Sequence, residues 1–251
     1  MSSYDQAIQG AIEFSQNNQR VILESNSLSS INYKKYEEPA IVEVRNEDVL
    51  YTTLWDNGDN TAILNFANAM IPGGAVDAGG SGQEESLCRS STLLSALKDP
   101  CIIESFYKRH RLSCTNLAND DIIYTPRVLF FRDSDQNIRP MHDWYYANVI
   151  SCAAPNLCGM VVDSNSLLKI QAKRIKRILD VALVNDNDTI ILGAFGCGAF
   201  KNPPIVVASA IKYLMKYYQY SFNKIIFSIT DADIYSVFKS ILEDYEEMSL
   251  F

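Results

Sequence analysis

Short apolar runs alternate with helical periodicity along most of this chain, and two of the runs open directly into glycine-rich loops that lead to helices. This alternation is the tightest constraint on the fold. Strands separated by helices form a largely parallel sheet, whose two faces the helices cover. Residues 41–45 (IVEVR), 61–67 (TAILNFA), 124–131, 145–151, 189–194 (TIILGA) and 224–229 (KIIFSI) read as strands, with Pro126 interrupting the third. Residues 4–18, 83–97, 166–184, 203–217 and 234–248 read as helices, the second bounded by Asp99-Pro100. In 166–184, Leu168, Ile170, Ile175, Ile178, Leu179 and Leu183 form one side, with Lys and Arg opposite. No Pro/Gly/Ser-rich linker divides the chain, so one domain is expected over 1–251, with 1–40 as an N-terminal helical extension packed on it.

The net charge of −8 argues against a surface that grips DNA or RNA, which needs an excess of Lys and Arg. It leaves room for a small phosphorylated ligand, because backbone N–H groups and a helix N-terminus hold a diphosphate without lysine. Cys88, Cys101, Cys114, Cys152, Cys158 and Cys197 are scattered, with no C-x-x-C pair, and read as buried small hydrophobes in a reducing compartment. The start MSSYDQAIQG lacks a secretory pattern, and no run reaches the roughly 18 apolar residues of a membrane span. A soluble, cytoplasmic, monomeric protein is therefore expected.

The second glycine-rich loop, GAFGCGAFKNPP, follows the buried strand TIIL. Ligands in such sheets sit beyond the carboxyl ends of the strands. Gly193, Gly196 and Gly198 allow conformations that turn successive N–H groups toward one anion. Asn202 is placed as N-cap with Pro203 at the first helical position, so the next helix would add its positive end. The loop has neither the Lys-Ser/Thr of a P-loop nor the dinucleotide spacing. Taken alone, it is equally a tight strand-to-helix turn.

The first loop carries five glycines between residues 73 and 82 and runs into Gln83-Glu84-Glu85. Acids at a helix start complement the macrodipole, and Glu85 can pair with Arg89 one turn on. A chemical reading stands beside that one. Adjacent helical residues point about 100° apart, so Glu84 and Glu85 cannot flank one glycosidic bond as a glycosidase carboxylate pair does. In a glycosidase, one of them would transfer the proton. A substrate diphosphate on the second loop would stabilise the oxocarbenium-like cation.

These blocks resemble the bacterial-type poly(ADP-ribose) glycohydrolases of the macrodomain superfamily. NFANAMIPGGAVDAGGSGQEESLCRSSTL matches their glycine run followed by Gln-Glu-Glu, and ILGAFGCGAFKNPP is similar to their diphosphate loop. IYTPRVLFFRD, VISCAAPN and RIKRILDVAL match in family order, from about residue 40 to the end. The resemblance implies a three-layer α/β/α macrodomain with a mixed, largely parallel sheet. It implies hydrolysis of ribose–ribose O-glycosidic bonds of poly(ADP-ribose) on modified proteins; no cofactor is expected, and the two histidines and the lack of a clustered ligand set argue against zinc. By position, Glu85 would be the acid/base and Glu84 would orient the substrate ribose. Gln83 belongs to the same motif, and Asn68 would lie beside the distal ribose. Gly73 and Gly74 would let the backbone meet ribose and phosphate. Gly196, Cys197, Gly198 and Ala199 would present N–H groups to the diphosphate, Phe200 would pack on the terminal ribose, and Asp48 is a candidate for the adenine amino group. Ala75 stands where the family has a third glycine. If that position needs φ > 0, alanine costs about 1 kcal/mol. Removal of single ADP-ribose units, or non-catalytic reading of ADP-ribose, are the alternatives.

Cys197 could be read as a nucleophile, but nothing in the sequence places His110 or His142 beside it, and a small residue in a tight loop is the simpler reading. Asp231-Ala232-Asp233 suits a helix cap better than Mg²⁺. Tyr213, Tyr217, Tyr218 and Tyr220 suit helix packing better than base stacking in so acidic a chain.

Overall fold

Residues 2–28, 31–113 and 115–248 are described by the computed structural model, 244–248 as backbone only. The N-terminal part gives α1 (Ser3–Asn18), β1 (Arg20–Ile22), β2 (Ile41–Arg45), α2 (Val49–Trp55) and β3 (Thr61–Phe66). After the first glycine-rich loop come α3 (Gln83–Ser90), α4 (Leu93–Leu97), α5 (Pro100–Ile102), a π-helical turn (Ile103–Tyr107) and α6 (Lys108–Ser113). The rest is β4 (Ile122–Phe130), β5 (Tyr145–Cys152), α7 (Ser164–Val184), β6 (Thr189–Leu192), α8 (Pro204–Tyr218), β7 (Lys224–Ser228) and α9 (Ala232–Met248).

Among the described residues, seven strands form one sheet in the order β1-β4-β5-β3-β6-β7-β2. β5, β3, β6, β7 and β2 are mutually parallel, and β4 runs against its neighbours β1 and β5. Strand side chains alternate between faces. Ala62, Leu64, Ile190, Leu192, Ile225 and Phe227 pack with residues of α7, α8 and α9. Ile63, Val149, Ile191 and Ile226 pack with α2, α3, α4 and the 100–107 helical stretch. This is the expected three-layer α/β/α architecture, and the strand carboxyl ends of the parallel set share one edge.

Four expectations change. The 1–40 segment is not only helical: β1 extends the sheet by pairing Arg20, Val21 and Ile22 with Tyr124, Ile123 and Ile122. The expected 83–97 helix is broken at Ser91. There the backbone turns extended to bridge Phe130, the Thr92 N–H donates to the Leu129 carbonyl, and Ser91 Oγ donates to the Leu87 carbonyl. Hydroxyl side chains in the run Ser90-Ser91-Thr92 offer the backbone an alternative to helix. Pro126 interrupts its strand as expected, in a register shift between Thr125 and Val128 where Arg127 has φ 51°, and β4 continues beyond it to Phe130. Of the cysteines, Cys88, Cys152 and Cys197 are buried but Cys101 and Cys158 are exposed, and Cys114 lies outside the described residues. In the tyrosine stripe, Tyr218 is buried, while Tyr213 and Tyr217 are exposed and meet edge to face.

Arg174 also departs from the solvated face expected of it. It is 3% exposed and donates to Asp120 Oδ1 (2.8 Å) and to the Leu117 and Ala153 carbonyls (both 2.9 Å). Burial pushes the Asp120 carboxyl up, but Lys173 and Arg174 outweigh it and hold the group below its ordinary range. Arg174→Leu would leave two carbonyls and much of a carboxylate uncompensated in the interior. The expected loss is about 3–5 kcal/mol, read as a lowered urea midpoint; an unchanged midpoint would show that the buried ion pair contributes nothing.

Candidate active site

The parallel strands end in a cleft of about 440 Å³, lined by Phe66 at the end of β3 and Asn68 just after it, residues 81–86 at the start of α3, and the second glycine-rich loop. Its far end is closed by Glu47, Asp48 and Val49 before and in α2, and by residues 228–231 and Ile234 around the end of β7.

β6 pairs with β3 only as far as Ile63, whereas β5 pairs with β3 through Phe66. The Leu64 carbonyl and Phe66 N–H on the vacated side are taken by Gln83, whose Nε2 donates to Leu64 (2.7 Å) and whose Oε1 accepts from Phe66 (2.9 Å). The Gln83 amide thus continues the sheet with a side chain and fixes the start of α3 against the strand. It borders the cleft, but both ends of its amide are engaged by the protein.

Glu84 follows and turns inward, 3% exposed. Its Oε2 accepts from the Asn68 N–H (2.7 Å), its Oε1 from Asn65 Nδ2 (3.4 Å), and the Gly73 N–H adds a third donor. Burial dominates and, with the Glu85 charge, raises its pKa to about 8 against those donors. Glu85, half-buried, faces the cleft rim, where its Oε1 accepts from the Ala75 N–H (2.9 Å). The carboxylate fills space left by three glycines. A Cβ on Gly74 or Gly82 would stand 2.5 Å from a Glu85 oxygen, and one on Gly80 would stand 3.2 Å from Glu85 Cγ. Arg89 does not pair with Glu85; its Nη1 donates to the Gly80 carbonyl (2.6 Å) and braces the loop.

This reassigns the first glycines. Gly73 (φ 72°) and Gly74 (φ 58°) do need the left-handed region, but they pack against Leu94, Cys88 and the two glutamates rather than lining the cleft. Ala75 has φ −95°, so the strain considered for it does not arise, and its N–H serves Glu85. Asn68 lines the cleft, with its Oδ1 accepting from the N–H groups of Met70 and Ile71.

In the second loop, the N–H groups of Phe195 and Cys197 turn inward to the Gly193 and Ala194 carbonyls. Cys197 is therefore not one of the outward donors expected, and burial pushes its thiol up to about 12. Among the described residues, the N–H groups of Gly196, Gly198, Ala199 and Phe200 have no protein acceptor, and all four residues border the cleft. Gly193 lies behind them, where a Cβ would stand 2.7 Å from the Ser228 carbonyl. Asn202 is not the helix cap: Pro203 holds that position, and Asn202 is buried. Its Nδ2 donates to the Pro155 (2.7 Å) and Gly196 (3.0 Å) carbonyls, and its Oδ1 accepts from Gln171 (2.9 Å). It pins the loop to the end of β5 and to α7.

At the far end Asp48 caps α2 by accepting from the Leu50 N–H (2.7 Å), and Asp231 caps α9 by accepting from Asp233 and Ile234. Sequence reasoning passed over Glu47, Ser81, Ser86, Thr230 and Ile234 as lining residues. The rule that ligands sit beyond strand carboxyl ends, applied to β7 as it was to β6, would have marked Thr230. Among the described residues, no His/Cys/Asp/Glu grouping could hold a metal ion, and no helix is long and apolar enough to cross a membrane.

Glu84 has a stability consequence. Its folded pKa, about 8, lies above its ordinary 4.5, so the folded chain holds the proton more tightly than the unfolded one. Its contribution is therefore most favourable below pH 4.5 and declines as pH rises to about 8. Glu84→Gln removes that titration. The variant should melt close to wild type near pH 4.5 and about 5 °C or more above it near pH 8.5. Parallel melting curves across that range would refute the burial argument.

A family model for the microbial-type PARG (poly(ADP-ribose) glycohydrolase) catalytic domain matches residues 2–133. Among solved structures, the Deinococcus radiodurans poly(ADP-ribose) glycohydrolase in complex with ADP-ribose aligns with a TM-score of 0.84 at 28% identity, over 93% of this chain and 97% of that one. The Thermomonospora curvata enzyme aligns with a TM-score of 0.81 at 25% identity, over 93% and 89%. Its complex with the inhibitor ADP-HPD gives 0.80 at 25%, over 92% and 88%. No match was found among curated protein sequences. The matched family model covers the first glycine-rich loop and both glutamates, and the structural likeness runs nearly the length of the chain: the protein belongs to the microbial-type poly(ADP-ribose) glycohydrolase family.

Proposed function

We propose that the protein hydrolyses the ribose–ribose O-glycosidic bonds of poly(ADP-ribose), releasing ADP-ribose, with Glu85 as acid/base and Glu84 as the group that orients the substrate ribose. The observation that carries this reading is the unlike setting of two adjacent carboxyls. Glu85 stands at the rim of the cleft with room made by glycines, and Glu84 is buried among backbone donors. The Deinococcus relative carries ADP-ribose, and the N–H groups of Gly196, Gly198, Ala199 and Phe200, on residues that border the cleft and without a protein acceptor among the described residues, suit a diphosphate.

Glu85 gives its proton to the leaving ribose oxygen as the anomeric C–O bond breaks. The oxocarbenium-like cation is stabilised by the diphosphate held across the cleft. Water then adds to the anomeric carbon and returns a proton to Glu85. Phe200 packs against the terminal ribose, Asn68 lies beside it, and Asp48 receives the adenine amino group, a role for which Asp231 is equally placed on the opposite helix start. The reader alternative rested on Ala75, and its φ of −95° weakens that case. Removal of single ADP-ribose units uses the same groups and is separated from polymer cleavage by a substrate panel.

We read the chain as one domain over 1–251, since one sheet takes strands from residues 20 to 228, and as a monomer. The exposed thiols of Cys101 and Cys158 favour a reducing, cytoplasmic setting. The substrate is read as polymer on modified proteins.

Incubation with poly(ADP-ribose) should release ADP-ribose from wild type, and Glu85→Gln should slow release at least about 100-fold. Gly82→Ala offers a second arm. Gly82 has an ordinary φ of −72°, so alanine strains no backbone, but its methyl displaces the Glu85 carboxylate. Release should fall about tenfold or more, with a melting temperature within a few degrees of wild type. No release by wild type, or an undiminished rate in Glu85→Gln, would overturn the proposal.

A further inference from the structure

Behind Glu84 lies a polar pair that the reaction scheme does not use. Asn65, fully buried in β3, stands opposite Ser151 of β5 in the strand register. Its Nδ2 donates to Ser151 Oγ (2.9 Å) and to Glu84 Oε1 (3.4 Å), and its Oδ1 has no partner. A carboxamide end has two N–H donors on nitrogen and two lone pairs on oxygen. Here the nitrogen serves two groups that can each change role. Ser151 accepts now but can donate its O–H, and Glu84 accepts as a carboxylate but donates as a carboxylic acid.

We propose that Asn65 and Ser151 are a positioning pair that holds the Glu84 carboxyl in one orientation through both of its protonation states. With the carboxylate, Asn65 Nδ2 donates to Glu84 and Ser151. With the acid, the amide turns over by half a rotation about Cβ–Cγ, and Oδ1 accepts from the Glu84 and Ser151 hydroxyls. Two hydrogen bonds are made in each state, and the unpartnered end of the amide occupies the same gap in both. A plain strand-to-strand link between Asn65 and Ser151 would not need an unfilled acceptor beside a titrating group.

The inference rests on Glu84 as the group that orients the substrate ribose. A ribose hydroxyl donating to Glu84 selects the carboxylate, so Glu84 entering as an acid releases its proton to solvent when ligand binds. The groups facing Glu84 are few. The N–H groups of Asn68 and Gly73 come from the loop, Glu85 and Cys88 from α3, and Tyr107 from the π-helical turn. Burial keeps the Cys88 thiol and the Tyr107 hydroxyl neutral through the range in which Glu84 titrates. Among the described residues, Glu85 is the charge that acts on Glu84.

Nuclear magnetic resonance on the isotope-labelled full chain tests this without substrate. Between pH 6 and 9.5, the Asn65 side-chain NH₂ signals and the Glu84 carboxyl carbon should move with a single midpoint. NH₂ signals that stay fixed while the Glu84 carbon titrates would overturn the proposal, whether or not the protein proves to be a hydrolase. Asn65→Leu should weaken ADP-ribose binding about tenfold on both sides of that midpoint. If that variant does not fold, Ser151→Ala should average the Asn65 NH₂ environment and weaken binding several-fold. Wild-type affinity in either folded variant would reduce the pair to a link between strands. ADP-ribose failing to bind wild type would overturn the role of Glu84 instead, which the resonance titration reads separately.

Discussion

The active-site region depends on one short strand. β6 stops at Leu192 and turns into the second glycine-rich loop, leaving the last three residues of β3 without a β6 partner. An unpaired buried carbonyl and N–H are costly, on the order of 1–3 kcal/mol each, and the Gln83 amide satisfies both. The same early ending that frees one loop to face a ligand therefore fixes the helix on which both glutamates stand. The two glycine-rich loops, far apart in sequence, are joined through this exchange of partners at the edge of one strand.

With the start of α3 fixed, the helical turn between neighbours sends Glu84 and Glu85 to different environments. Glu84 enters the layer under the sheet, where desolvation works against its charge and a set of N–H and amide donors only partly compensates. Glu85 reaches the rim, into space that exists because residues 74, 80 and 82 lack side chains. The glycines are thus read better as room for a carboxylate than as contacts for a ligand. Opposite, the loop divides its N–H groups: those of Phe195 and Cys197 close the turn internally, and those of Gly196, Gly198, Ala199 and Phe200 have no protein acceptor among the described residues. Asn202 and Gln171 hold that division from behind.

Much of this was legible in the sequence. The strands TAILNF, YYANVISC, TIIL and KIIFS lie where their apolar runs place them, because residues buried on both faces of a parallel sheet leave a strong signal. The edge strand IVEVR was legible from its alternating pattern although none of its residues is buried. The Gln83-Glu84-Glu85 helix start and the second loop were legible for the same local reasons. What was not legible involves partners distant in sequence. The break at Ser91 depends on Phe130, the burial of Arg174 on Asp120, and the inward turn of Asn202 on Pro155 and Gln171. Asn202 followed by proline reads as a cap from local rules alone, and only the fold shows that Pro203 takes that place. The Ala75 question was one of backbone angle, which composition cannot answer.

The central claim is that the adjacent glutamates have unequal roles, set by where the helix sends them. Calorimetry with ADP-ribose at pH 8.5 on Glu84→Gln and Glu85→Gln tests it most directly. Glu84→Gln should weaken binding about tenfold or more, since in the proposed scheme it removes a carboxylate that accepts from the ribose. Glu85→Gln should bind within about threefold of wild type, since its proposed role lies in the transition state. Equal losses in the two variants, or the larger loss in Glu85→Gln, would contradict the account.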